Sequence, residues 1–113
     1  NRSEKEIENF LKKHDLLSIF KYIENGIHGN AGVNGGNLSA GMQKTVLLTR
    51  ALIKPKSKIY VFDEPLAGLD KNTREKIMKM ITTECKDSTI ICITHNKEIK
   101  QYVDRTIELQ KSK

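Results

Sequence analysis

Residues 59–70 of this chain are IYVFDEPLAGLD, from Ile59 to Asp70, and they indicate its fold class. Four apolar residues, most of them β-branched or aromatic, are followed directly by two carboxylates, a proline and a turn. Such a run predicts a strand that is buried on both faces, as in the middle of a parallel sheet. Asp63 and Glu64 then follow the carboxyl end of the strand, where open α/β sheets bind ligands. These residues alone leave open whether the two acids form a site or a solvated turn.

Length and composition indicate one small globular domain. The chain has 113 residues, of which 37% are hydrophobic and 30% charged, and no apolar run is long enough to span a membrane. The net charge of +6 comes with dispersed lysines and only 5% aromatic residues, so we expect no nucleic-acid partner. Cys85 and Cys92 lack metal-ligand spacing and predict buried thiols in a reducing compartment. Because the first residue is Asn, we expect a piece of a longer protein.

The hydrophobic pattern predicts helices on both sides of the strand. Capping residues and apolar positions at helical spacing define them, and glycine or proline ends them. The predicted helices cover approximately residues 4–14, 16–23, 41–53, 72–85 and 97–102. A second strand is predicted at residues 89–94 and a final strand at residues 105–109.

Strand, helix and strand at this spacing predict a right-handed βαβ unit with parallel strands. The fold class is therefore α/β, a parallel sheet with flanking helices. Both strands end at the same edge of the sheet. Asp63 and Glu64 are therefore expected to lie near His95, which follows the second strand.

These three side chains suit the transfer of a phosphoryl group to water. One carboxylate can hold Mg²⁺, usually through water molecules, because Mg²⁺ dehydrates reluctantly. A second carboxylate can polarise the attacking water, and an imidazole can contact the terminal phosphate. The alternative for His95 is an ordinary loop histidine, but its place at the end of the strand beside an Asp-Glu pair favours a site.

Two other segments contain residues that are typical of phosphate sites. Residues 26–36 are rich in glycine, but neither G-x-G-x-x-G nor the Walker A pattern G-x-x-x-x-G-K-[ST] occurs in the chain. Ser39 and Gly41 stand at the start of a predicted helix, where free N–H groups and the helix dipole suit an anion. Plain N-capping by Ser39 is the alternative.

Four motifs in the right order make the chain similar to the C-terminal portion of an ATP-binding cassette (ABC) nucleotide-binding domain. Residues 37–44, NLSAGMQK, resemble the signature L-S-G-G-Q, and residues 59–64 resemble Walker B with its catalytic glutamate. Residues 67–70 resemble the D-loop, and Thr94-His95 resembles the switch, or H-loop, histidine. The resemblance implies a partial P-loop NTPase core at residues 37–113, preceded at residues 1–36 by the end of the helical subdomain and a Gly-rich loop.

The resemblance implies roles for the side chains at the sheet edge. Asp63 would bind Mg²⁺ through water, and Glu64 would act as general base on the attacking water. His95 would contact the γ-phosphate of ATP.

The resemblance also implies contacts across a dimer of such domains. Asp70 would contact the partner domain, while Ser39 and Gly41 would hold the γ-phosphate of ATP bound by the opposing domain. The signature departs from the family pattern at Ala40, which replaces a glycine, and at Met42, which replaces the glutamine. These departures predict a weakened signature site.

The implied function is ATP binding and hydrolysis by a dimeric ATPase that drives transport. Its partners would be a transmembrane domain and a second nucleotide-binding domain, identical or different, at the cytoplasmic face of a membrane. Because Walker A is missing from the 113 residues, we expect the isolated chain not to bind ATP appreciably and to be inactive. The alternatives are a non-transport ABC ATPase of DNA repair, chromosome organisation or translation, and a truncated non-catalytic module that binds a partner cassette.

Overall fold

A computed structural model describes residues 3–20 and 39–110 of the protein. The elements, in chain order, are helix α1 (Glu4–Lys13), a 3₁₀ helix (Leu17–Phe20), helix α2 (Ala40–Leu52), strand β1 (Ile59–Asp63), helix α3 (Lys71–Glu84), strand β2 (Thr89–Ile93) and a second 3₁₀ helix (Lys97–Tyr102). The Gly-rich segment 26–36, the end of the predicted helix 16–23 and the first two signature residues lie outside the described residues. No helix in the described part of the chain combines the length and apolarity needed to cross a membrane.

Side-chain caps start the three α-helices where the sequence predicts them. The Ser3 hydroxyl accepts a hydrogen bond from the Glu6 N–H at 3.2 Å, and the Ser39 hydroxyl accepts one from the Met42 N–H at 3.3 Å. The carboxylate of Asp70 accepts the N–H of the third helical residue of α3 at 2.7 Å. Each cap satisfies a donor that the helix itself leaves unpaired.

Strands β1 and β2 pair in parallel, as the βαβ spacing predicts. Ile59 lies opposite Thr89 at one end of the ladder, and Asp63 lies opposite Ile93 at the other. Helix α3 connects the two strands. The carboxyl ends of both strands therefore meet at one edge of the sheet, which positions the site.

The prediction that β1 is buried on both faces is wrong. Tyr60 and Phe62 are buried, whereas Ile59 and Val61 are each 60% exposed. Side chains alternate across a strand, and the buried pair shares one core with apolar residues of α2 and α3. No layer of the described residues covers the opposite face, where Ile59 and Val61 lie. The described residues therefore expose apolar sheet surface at Ile59 and Val61.

The prediction of a final strand at residues 105–109 is also wrong. This segment is neither strand nor helix, and Ile107 is 70% and Leu109 92% exposed. A strand needs a neighbour to pair its backbone groups, and in the described chain β1 and β2 pair only with each other. The alternation of apolar residues indicates a face that can be buried. It does not show whether another strand is available for pairing.

Glu84, at the end of α3, joins three segments. Its carboxylate accepts hydrogen bonds from Lys13 Nζ and from Lys56 Nζ, each at 2.8 Å. The same carboxylate lies 2.7 Å from His14 Nε2. Burial raises the pKa of Glu84, but the hydrogen bonds from Lys13, Lys56 and His14 outweigh it and lower the pKa to about 2. Three basic partners around one carboxylate thus fasten α1, and the segment after α2, to α3.

Candidate functional site

Glu64 begins the turn that ends β1. Its N–H donates to the Ile93 carbonyl at 2.7 Å, which continues the ladder one step beyond Asp63. Its φ of 49° lies in the left-handed region, which is uncommon for a residue with a side chain. Pro65 follows it and disfavours the right-handed helical conformation at the residue before. The backbone therefore bends sharply at Glu64.

The carboxylate of Glu64 is held against the end of β2. The Thr94 hydroxyl donates to Oε2 at 3.2 Å, and the backbone N–H of His95 donates to Oε1 at 3.0 Å. The His95 ring nitrogen Nε2 lies 3.8 Å from Oε1. The N–H of Asn96 donates to the Thr94 hydroxyl at 2.9 Å, which orients that hydroxyl toward Glu64. The structure thus brings Glu64 and His95 together, as the strand ends predict.

Asp63 lies on the uncovered face of the sheet. It continues the row of Ile59 and Val61, and it is exposed like them. Among the described residues its carboxylate makes no hydrogen bond or ion pair, and no group of three or more His, Cys, Asp or Glu residues gathers to enclose a metal. An exposed carboxylate without a protein partner is suited to a hydrated cation rather than to an all-protein metal cage.

Lys44 connects α2 to this edge, and sequence reasoning did not find it as a site residue. Its Nζ donates to the backbone carbonyl of Glu64 at 3.0 Å in a partly buried contact. A lysine in the second turn of a helix carries no sequence signal for such a contact. The interaction depends on how α2 is placed over the end of β1, which only the structure gives.

The residues predicted to work across a dimer form a second group. Ser39 caps α2, and a Cβ added at Gly41 would lie 3.5 Å from a methyl of Leu69. Gly68 has a φ of +76°, and a Cβ added there would lie 3.7 Å from that of Ala40. The start of α2 therefore packs directly on the turn that precedes Asp70. The methyl of Ala40 fits this arrangement.

Asp70 is exposed and caps α3. The hydrogen bond from the Thr73 backbone lowers the pKa of Asp70. Arg74, one turn into α3, donates to the Leu69 carbonyl at 2.8 Å and to both carboxylate oxygens of Glu98 at 3.0 and 2.7 Å. The hydrogen bond with Arg74 lowers the pKa of Glu98. Sequence reasoning missed Arg74 and Glu98, because 24 residues separate them.

Two groups with different chemistry result. Glu64 and His95 at the sheet edge place a carboxylate beside an exposed imidazole, a pair able to accept a proton and to contact an anion. Ser39 and Gly41 place a hydroxyl and helix N–H groups beside the turn at Asp70, and such groups suit an anion. The contact of Lys44 with Glu64 joins the two groups within one chain.

Comparisons with known proteins match most of the chain. A family profile described as "AAA domain, putative AbiEii toxin, Type IV TA system" matches residues 1–99. The ATP-dependent lipid A-core flippase 2 of Colwellia psychrerythraea is 28% identical over 111 residues, 98% of this chain and 19% of the flippase. The lacticin-481/lactococcin-DR transport/processing ATP-binding protein of Lactococcus lactis is 31% identical over 109 residues, 95% of this chain and 16% of that protein.

A solved structure shares the fold. A bacterial Atm1-family ABC exporter with ATP bound matches with a TM-score of 0.71 and 26% identity, over 85% of this chain and 17% of the exporter chain. The predicted α/β class is confirmed by this match. The chain spans less than a fifth of the length of each of these relatives.

Proposed function

Because this chain belongs to the AAA-domain family and is similar to the ATP-binding regions of ABC exporters, we propose that it supplies the hydrolytic edge of an ABC ATPase that drives transport. The observation that carries the proposal is the carboxylate of Glu64, held beside His95 where two parallel strands end. ATP is the proposed substrate, and water is the proposed acceptor of its γ-phosphate.

Glu64 is the proposed general base. Hydrogen bonds from Thr94 and from the His95 N–H each use one carboxylate oxygen, and each oxygen keeps a lone pair that can accept a proton from water. These hydrogen bonds orient the carboxylate and leave it able to accept a further hydrogen bond. The imidazole of His95 is fully exposed and is the proposed contact to the γ-phosphate.

Asp63 is the proposed Mg²⁺ ligand, acting through water. It fits this role because its carboxylate is exposed and unpartnered among the described residues, at the end of β1. Bound Mg²⁺ would neutralise charge on the phosphates. Asp63 would hold a hydrated cation there, while Glu64, the next residue, would accept the proton from water.

Ser39, Gly41 and Asp70 are proposed to serve a second nucleotide-binding domain. The Ser39 hydroxyl accepts its cap bond from Met42, which leaves the hydroxyl proton free to donate to a phosphate oxygen. The adjacent α2 N–H groups add donors. Asp70 uses one carboxylate oxygen for its cap and keeps the other for a partner. A homodimer or a heterodimer would place this surface against ATP that is bound by the opposing nucleotide-binding domain.

The phosphate cradle and the transmembrane domain of the proposed ATPase are proposed to lie outside these 113 residues. The Walker A pattern does not occur in them, so the phosphate cradle would come from another segment or chain. A transmembrane domain is the proposed partner for transport, with this domain at the cytoplasmic face of the membrane. The missing pattern also supports a second candidate, a non-catalytic module that binds a partner cassette through Ser39 and Asp70. A non-transport ABC ATPase would use the same edge.

ATP turnover by the complete gene product tests the proposal. Glu64→Gln should lower kcat by about 10²–10⁴-fold, because loss of a general base typically costs that much. ATP binding, measured by equilibrium titration, should persist in this variant. Glu75→Gln is the matched control, since Glu75 is an exposed carboxylate on α3, and it should leave kcat unchanged. Normal turnover in Glu64→Gln would refute the assignment of Glu64.

A further inference from the structure

Lys44 contacts the peptide on which the orientation of Glu64 depends. Its Nζ lies 3.0 Å from the Glu64 carbonyl oxygen, and the contact is partly buried. The next residue is Pro65, whose nitrogen carries no hydrogen. The carbonyl is therefore the only polar group of the Glu64–Pro65 peptide. Apart from Lys44, only the Ala67 N–H, at 3.3 Å, binds this carbonyl in the described chain.

The conformation of Glu64 needs such support. A φ of 49° is a sparsely populated conformation for a non-glycine residue, and it persists when its surroundings hold it. The N–H is held by Ile93, the carboxylate by Thr94 and His95, and the carbonyl by Lys44. Among these contacts of the described residues, Lys44 alone contributes a side chain from a helix rather than from the sheet edge.

We propose that Lys44 is a positioning residue for Glu64, which makes the setting of the general base depend on the placement of α2. This inference rests on the proposed role of Glu64. Helix α2 begins at the Ser39 cap, and Lys44 lies five residues further on, about 7.5 Å along the helix axis. The N-terminus of α2 is proposed to contact the γ-phosphate of ATP in the opposing domain. The same helix, through Lys44, also binds the Glu64 carbonyl of its own chain.

Steady-state kinetics of the complete gene product test the inference. Lys44→Met keeps an unbranched side chain of moderate length and removes the ammonium donor. We expect kcat for ATP to fall about tenfold, because small misplacements of a reacting group are costly, and KM to stay unchanged. Lys44→Arg should recover most of kcat, since it retains a cationic donor. Lys79→Met, an exposed lysine on α3, is the matched control and should behave like wild type.

A double variant distinguishes positioning from general support of the fold. If Lys44 acts through Glu64, adding Lys44→Met to Glu64→Gln should not lower the residual turnover further, because residues that act as a unit are not additive. An additional tenfold loss in the double variant would overturn the inference. If Lys44→Met does not fold, Lys44→Leu, which also lacks a donor, decides by the same criteria.

The outcomes separate this inference from the proposed function. Lost turnover in Glu64→Gln together with normal turnover in Lys44→Met would overturn the role of Lys44 alone. Normal turnover in Glu64→Gln, or a wild-type protein without any ATP turnover, would overturn the proposed function and this inference with it. A raised KM with unchanged kcat in Lys44→Met would also overturn positioning, because it would indicate a role in ATP binding.

Discussion

The hydroxyl of Thr94 donates a hydrogen bond to Oε2 of Glu64 at 3.2 Å, across the carboxyl ends of two parallel strands. This bond, with that from the His95 N–H, fixes where the proposed general base points. Thr94→Val removes the hydroxyl with little change of shape. We expect kcat for ATP in the complete gene product to fall about 3- to 10-fold, and stability to fall by about 1 kcal/mol. Thr83→Val, at an exposed threonine of α3, is the control; equal rates in both variants would contradict the prediction.

The Glu84 cluster predicts a distinct acid sensitivity. The pKa of Glu84 is lowered from 4.5 to about 2, so the folded state favours the ionised form. The resulting stability is fully present above pH 4.5 and is lost as the pH falls toward 2. Lys13 and Lys56 are about half exposed, which screens their contribution. We therefore expect Glu84→Gln to cost about 2–3 kcal/mol at neutral pH.

Urea unfolding at a series of pH values measures this effect. The wild-type protein should lose stability between pH 4.5 and 2 more steeply than Glu84→Gln. Glu75→Gln, which changes an exposed carboxylate on the same helix, should retain the wild-type slope. Parallel pH curves for wild type and Glu84→Gln would show that the cluster does not carry the acid sensitivity.

Two substitutions of Asp70 separate its capping role from its proposed partner contact. Asn caps a helix about as well as Asp, whereas Ala loses the cap at a cost of about 1 kcal/mol. Thermal unfolding should therefore show a lower Tm for Asp70→Ala and a nearly unchanged Tm for Asp70→Asn. ATP-dependent dimerisation of the complete gene product, measured by light scattering, should weaken in both variants, because both remove the charge that is proposed to contact the partner domain. Full dimerisation by Asp70→Asn would exclude a charge-dependent contact.

Substitutions at two neighbouring residues of β1 should change the free energy of unfolding by very different amounts. Phe62 is 7% exposed and Val61 is 60% exposed. In the 113-residue chain, Phe62→Ala should lose about 3–5 kcal/mol of unfolding free energy. Val61→Thr should change it by less than about 0.5 kcal/mol. Chemical denaturation of the two variants provides the comparison, and a large loss from Val61→Thr would indicate that the second face of the sheet is covered after all.

Local signals in the sequence predicted the elements that local physics determines. Ser39 and Asp70 are strong capping residues, so the starts of α2 and α3 agree with prediction within one residue. The spacing of two apolar runs around a helix predicted the parallel pair, and with it the meeting of Glu64 and His95. These features depend on chain periodicity and connection length, which are written in the sequence.

Features that depend on what packs against an element could not be predicted in this way. Ile59 and Val61 are apolar enough to be buried, yet no described layer covers them. Residues 105–109 have the composition of a strand, but the described part of the chain offers them no strand to pair with. Lys44 and Thr94 take part in the site through the placement of their side chains, which no spacing rule specifies.

Arg74 connects the turn before Asp70 to the second 3₁₀ helix. Its guanidinium joins the Leu69 carbonyl, just before Asp70, to Glu98 in the 3₁₀ helix that follows His95. One cation thus links the turn that precedes Asp70 to the segment that follows His95. A displacement of the Leu69 carbonyl would therefore be passed to Glu98 through the Arg74 side chain. Because the link is ionic, its stiffness should fall as salt concentration rises.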